Sequence, residues 1–206
     1  GKLGQAQPLA KLEQLANSDD ARLRFQAALQ LGQVRDAQKT KLLAKVLSAG
    51  TDDKWTRAAV LSSMGNLSVE LLDELAAGRL AKRPSLAPAL VALGQVIAIT
   101  RPSKETGGVI ARHMAVGSGW SGHERTALLG GIIDGASYSL AKLTDGNTNA
   151  RENVETIFAS ARALAKSGDG AGRLGSIALL GHSSFAAEGE TLLALLTATE
   201  PGSVRL

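Results

Sequence analysis

The chain has 206 residues, of which 44 % are hydrophobic and only 3 % aromatic, and it carries a formal net charge of +4. That length suits one ordinary domain or a short repeat array, with a core drawn from Leu, Ala, Ile and Val. The absence of Cys excludes disulfides, thiolate metal sites and c-type haem attachment within this chain, and no apolar run is long enough to cross a membrane.

The first element is "PLAKLEQLA" (residues 8–16), which sets Leu9, Leu12 and Leu15 on one helical face. "DARLRFQAALQLG" (residues 20–32) follows a short "NSDD" connection. The next helix, "KTKLLAKVLSA" (residues 39–49), places Leu42, Leu43, Val46 and Leu47 on one side and Lys39, Lys41 and Lys45 away from it. "DKWTRAAVLSSMG" (residues 53–65) then repeats the earlier stretch at an offset of 33 residues, with Asp53 on Asp20, Arg57 on Arg24, Met64 on Leu31 and Gly65 on Gly32. It too is followed by a leucine-faced helix, "VELLDELAA" (residues 69–77), with Leu71, Leu72 and Leu75.

The middle is less regular. "RPSLAPALVALGQVIAIT" (residues 83–100) reads as a hydrophobic helix with Pro near its start, and "SKETGGVIARHMAV" (residues 103–116) as a partner weakened by Gly107 and Gly108. "SGHERTALLGGII" (residues 121–133) is a weaker copy of the repeat, with Arg125 in the Arg column. "ARENVETIFASARALAKS" (residues 150–167) is amphipathic, turning Val154, Ile157, Phe158, Ala161 and Leu164 inward. "DGAGRLGSIALLG" (residues 169–181) is a further copy, with Asp169, Arg173 and Gly181 in register. "EGETLLALLTA" (residues 188–198) supplies Leu192, Leu193, Leu195 and Leu196, and the closing "PGSVRL" puts Arg205 in the Arg column.

The column pattern predicts a surface pair between Asp at i and Arg at i+4, worth about 0.3–0.5 kcal/mol. It also predicts a left-handed glycine closing each helix and small residues that let helices approach closely. No segment alternates with period two. The fold class expected is therefore all-α, an α-α superhelix of HEAT-like repeats, with about ten helices in a right-handed stack of about five pairs. Residues 1–206 are expected to be a single HEAT-like repeat domain and an excised fragment of a longer multidomain protein, because the first pair lacks its leading helix and "PGSVRL" opens a repeat that never closes. Leu9, Leu12, Leu15, Leu192, Leu193 and Leu196 should then be less buried than Leu42, Leu43 and Val46.

Several motifs imitate chemistry. Gly170, Gly172 and Gly175 spell G-x-G-x-x-G, but a dinucleotide turn needs a strand before the glycines, and "FASARALAKSGD" is helical. "HERTA" (residues 123–127) begins like a zincin motif, with Ala127 where the second His belongs; His113 and His182 have no partner at ligand spacing. "DGNTNARENVET" (residues 145–156) resembles a calcium loop through Asp145, Asn147 and Asn149, but has Ala150 for the required Gly and Thr156 for the closing Glu, so an N-cap at Thr148 or Asn149 is expected instead. The Arg column could pass for a phosphate ladder, though recurrence beside an acid favours a structural role. Trp55 and Trp120, each near the start of a first-type helix, are expected to pack rather than face a partner. No catalytic, cofactor-binding or metal residue is assigned.

The series "DARLRFQAALQLG…DDKWTRAAVLSSMG", "LVALGQVIAIT", "WSGHERTALLGGIIDG" and "GRLGSIALLGHSSFAAEGETLLALL" resembles the HEAT-repeat region of multidomain planctomycete and verrucomicrobial proteins labelled membrane-bound dehydrogenases or haem-binding proteins. The resemblance implies a parent with a propeller before this region and a C-x-x-C-H cytochrome-like domain after it, and hence a periplasmic or exported setting. It transfers no active site.

The function expected is a non-enzymatic scaffold or protein-interaction module, serving flanking domains of the same chain or a partner protein, with no cofactor, no small-molecule ligand and no membrane insertion. The runner-up is a nucleic-acid-binding protein of the alkylpurine DNA glycosylase kind. It is motivated by a pI near 9.6 and by a first half (residues 1–103) that holds 14 Lys/Arg against 9 Asp/Glu. It is weakened by the scarcity of the aromatics that stacking and base flipping require.

Overall fold

The computed structural model describes residues 3–51, 53–78, 86–167 and 170–195. These residues form twelve helices and no strand. The helices exceed the ten or so expected partly through one short turn (Leu140–Leu143) too brief to show a periodicity. The chain divides into two compact units, Gly1–Ala89 and Leu90–Leu206.

The first unit contains α1 (Leu3–Ala16), α2 (Ala21–Leu31), α3 (Gln38–Ala49), α4 (Lys54–Met64) and α5 (Ser68–Ala77). The two copies of the repeated stretch, α2 and α4, pack on each other, as do the leucine-rich α3 and α5, while α1 joins α3 and α2. The result is two layers, α2 and α4 in one and α1, α3 and α5 in the other. Between them lie Leu31, Leu43, Val46, Leu47, Val60, Leu71 and Leu72, all without solvent exposure. Each such side chain stabilises the fold by about 1.5–3 kcal/mol. Leu9, Leu12 and Leu15 on α1 are only half-buried, whereas Leu42, Leu43 and Val46 are buried, the gradient expected from the sequence.

The second unit contains α6 (Ala87–Thr100) from Leu90 onward, α7 (Ser103–His113), α8 (Gly122–Gly135), α9 (Leu140–Leu143), α10 (Thr148–Ser167), α11 (Gly170–Leu180) and α12 (Phe185–Ala194). Its centre is α10, which packs on α7, α8 and α11. Val154, Ile157, Phe158 and Ala161 are buried as expected, but Leu164 is exposed and Ala165 takes the inward position. Along a helix of twenty residues the apolar stripe drifts round the axis, and the inward place in the last turn falls one residue later.

Glycine sets the spacing of α6 and α8. A Cβ at Gly135 would lie 2.5 Å from the Gln95 carbonyl oxygen, one at Gly94 would lie 2.7 Å from the Leu128 carbonyl oxygen, and one at Gly131 would collide with the Val91 carbonyl. The backbones meet directly because no side chain stands between them. Gly107 on α7 plays the same part against Leu143 on α9. At the other edge of the unit, α12 is seated by an ion pair. Arg162 on α10 grips Glu188 through Nε and Nη2, the shortest contact being 2.6 Å, and Glu188 is almost wholly buried. This contact raises the Arg162 pKa above its ordinary value. Leu192 on α12 is half-buried and Leu193 exposed; Leu196 lies outside the described residues.

A candidate interaction groove

The repeated columns resolve into two caps. The first column is the N-cap of its own helix. Asp20 accepts from the Arg22 N–H at 2.8 Å, and Asp53 accepts from the Trp55 and Thr56 N–H groups at 3.0 and 3.1 Å. In the third copy Ser121 replaces Asp and forms a capping box with Glu124. The hydroxyl of Thr56, above all, then the Trp55 N–H, hold the Asp53 carboxyl below its ordinary pKa.

Arg24 and Arg57 make no direct ion pair with the Asp four residues before them, although the Arg57 charge helps to lower the Asp53 pKa. Each Arg reaches back to carbonyl oxygens at the end of the preceding helix. Arg24 Nη1 donates to Ser18 and Asp19 (2.8 and 2.9 Å), just past α1. Arg57 Nη1 donates to Thr51 (2.9 Å), just past α3. Arg125 Nη1 donates to Met114 (3.3 Å), at the end of α7, and Arg173 Nε to Ala165 (2.8 Å), in the last turn of α10. The bonds that these arginines make are thus a clamp between consecutive helices. Helix ends leave carbonyls unsatisfied and carry partial negative charge, so a guanidinium is a fitting partner. Asp169 and Arg205 lie outside the described residues. The closing glycines differ too: Gly65 has φ +64, but Gly32 is right-handed at φ −55. Gly32 serves close packing, since a Cβ there would come within 3.2 Å of the Ser63 hydroxyl on α4.

The remaining sequence candidates find structural places. Gly170, with φ +56, opens α11, and the element described before it is a helix, α10, which runs to Ser167. Gly172 borders open space and Gly175 faces the His123 ring. Glu124 of "HERTA" is occupied in its capping box, and among the described residues no group of His, Asp and Glu could hold a metal. His182 Nε2 sits 3.2 Å from Asp134. His113 is buried and its Nδ1 accepts from the Trp120 indole at 3.4 Å. In the calcium-like loop the cap of α10 is Asn147, whose Oδ1 accepts from the Ala150 N–H at 3.0 Å. The cap falls before both expected positions because Gly146, at φ +68, lets the chain turn early. The two tryptophans part company: Trp120 is buried, while Trp55 is 65 % exposed, with the Lys54 ammonium 5.2 Å from its ring centroid.

Among its described residues the first unit carries two open concavities of similar size, one of about 570 Å³ between the start of α3 and the turn after α4, and one that bears the lysine stripe. The latter, a groove of about 640 Å³, runs along α3, over Lys41, Ala44, Lys45 and Ser48. These positions recur at i, i+3, i+4 and i+7, one helical stripe. The turn after α1 closes one flank with Asn17, Ser18 and Asp19, and α5 closes the other with Glu74 and Gly78. Arg24 also borders it, and its Nε finds no acceptor in the protein. The sequence placed Lys39, Lys41 and Lys45 off the apolar face, but Lys39 is buried with its ammonium donating to the Gly32 carbonyl oxygen at 3.3 Å; nor did it bring Lys41 and Lys45 to one groove with Asp19, from the turn after α1, and Glu74 on α5.

No known protein family, curated protein or solved structure matches this chain. No described helix is long and apolar enough to cross a membrane.

Proposed function

We propose that the chain is a non-enzymatic helical-repeat module of HEAT-like type that binds protein through the α3 groove. The observation that carries this reading is how the repeat spends its polar residues. The N-cap column is consumed in capping its own helices and the Arg column in joining one helix to the next, which leaves the lysine-bearing stripe of α3 over an open groove. Small floor residues such as Ala44 and Ser48 allow a partner backbone to come close. Grooves of this kind, built by stacked helical pairs, suit extended protein surfaces. The sequence resemblance further supports a place between a propeller and a cytochrome-like domain in a longer exported redox protein, where the module would hold its neighbours in register.

The test is photo-crosslinking in the native host, with a benzophenone amino acid placed at Ser48 in the groove or at Leu29 on the exposed side of α2. A protein adduct at Ser48 and none at Leu29 is the expected result. Duplex DNA binding by the purified chain, with affinity falling steeply as salt rises, would replace this reading with the nucleic-acid one.

A further inference from the structure

Lys41 and Lys45 stand one helical turn apart on the groove stripe, with their Cβ atoms about 5–6 Å from each other. Lys41 makes no hydrogen bond or ion pair among the described residues. Lys45 has a single bridge, 3.4 Å to Glu13, between two side chains that are each about half exposed; such surface pairs are readily exchanged. Like charges at i and i+4 repel, so α3 carries an electrostatic imbalance that an acidic ligand would relieve. Arg24 adds a third positive charge at the edge of the same groove, with its Nη1 held by the Ser18 and Asp19 carbonyl oxygens and its Nε shielded from solvent. Asp19 and Glu74, at the two flanks, bound the positive stretch on either side.

We propose that the groove docks an extended acidic segment of a protein partner, with acids at alternate positions seated on Lys41 and Lys45. The spacing selects the register. In an extended chain, residues two apart point the same way and lie about 6.7 Å from each other, close to the separation of the two lysines, whereas adjacent acids point to opposite sides. Ala44, between the lysines, is small enough for the intervening residue to lie against the floor. The flanking carboxylates repel a longer acidic run, so the preferred motif is short: acid, any residue, acid. This deepens the interaction-module reading and rests on it.

The experiment is fluorescence anisotropy on the whole chain with three labelled peptides of equal length, carrying Glu-Ala-Glu, Glu-Glu or Lys-Ala-Lys in an otherwise Gly/Ser background. Glu-Ala-Glu should bind best, weaken with salt, and lose about tenfold in affinity with either Lys41→Glu or Lys45→Glu. Both side chains are at the surface, so circular dichroism should be unchanged, and the Lys41→Glu/Lys45→Glu double variant should acquire binding to Lys-Ala-Lys. Equal binding of Glu-Glu would overturn the register. Unaltered affinity in Lys41→Glu, or duplex DNA displacing the peptide from these lysines at lower concentration, would overturn the proposal. Failure of every peptide while Ser48 still crosslinks to protein would remove the acidic segment and leave the module reading standing.

Discussion

The two units build the same kind of helical layer with opposite means. In Gly1–Ala89, helices are held apart by leucine side chains: Leu43, Leu47, Leu71 and Leu72 fill the space between layers completely. In Leu90–Leu206, α6 and α8 are drawn together by the removal of side chains at Gly94, Gly131 and Gly135, so that main chain meets main chain. The lesson is that hydrophobic content alone does not set how a helix packs. The α6 sequence is the most apolar of the chain's long helices, yet its register against α8 is decided by where nothing projects. Leucine contacts can relax when trimmed, whereas backbone contacts cannot yield without moving a whole helix.

Trimming a leucine should cost most. Leu43→Ala is expected to destabilise the first unit by about 2–5 kcal/mol, read as lost hydrogen-exchange protection in α3 and α5. A loss below one kilocalorie would mean the layers close over the cavity, and the contrast with the glycine contacts would fail. Adding a single methyl group in the second unit comes next. Gly131→Ala should cost about 1–3 kcal/mol through overpacking against Val91, measured by thermal unfolding; a neutral result would show that α6 slides freely.

The cap column gives a smaller effect and a pH signature. Asp53→Ala should cost about 1 kcal/mol near neutrality. Because the folded carboxyl titrates below its ordinary range, its contribution is present above the unfolded pKa and is lost as pH falls through the folded value. Urea titrations of variant and parent should therefore converge in acid. A gap that persists unchanged at the lowest pH would assign the loss to something other than the charged cap. The smallest change sharpens the glycine comparison within one helix. Gly130 is helical with open space around it, so Gly130→Ala should stabilise by about 0.5–1 kcal/mol, opposite in sign to its neighbour Gly131. Stabilisation at both positions would mean that helix propensity, and not the α6 contact, governs this segment.

The sequence makes the helices readable because leucine periodicity is local: residues 39–49 and 69–77 announce α3 and α5 by spacing alone. The 33-residue recurrence likewise marks the residues that matter at helix starts. The Asp column bonds within its own first turn, but the Arg column reaches out of its helix to the end of the one before. Asp53 and Arg57 sit where an i,i+4 pair is the natural expectation, yet Arg57 turns to Thr51, a carbonyl beyond the preceding helix whose position only the folded chain defines. The groove is illegible for the same reason, since its flanks come from α1, α3 and α5. Trp55 and Trp120 show the limit of composition: both follow polar connections, but only Trp120 has a buried acceptor, His113, within reach of its indole.

The backward-reaching arginine has a consequence for how such a chain can change over time. Its acceptors are main-chain oxygens, which every amino acid supplies in the same form. A helical pair duplicated, deleted or moved along the gene would bring its own arginine and find a suitable carbonyl at whatever helix end came before it. The junction thus travels with the pair and makes no demand on the neighbour's side chains. Selection can then alter the sequence of one pair without a matching change in the next, and an array can lengthen or shorten by whole units while each seam remains closed.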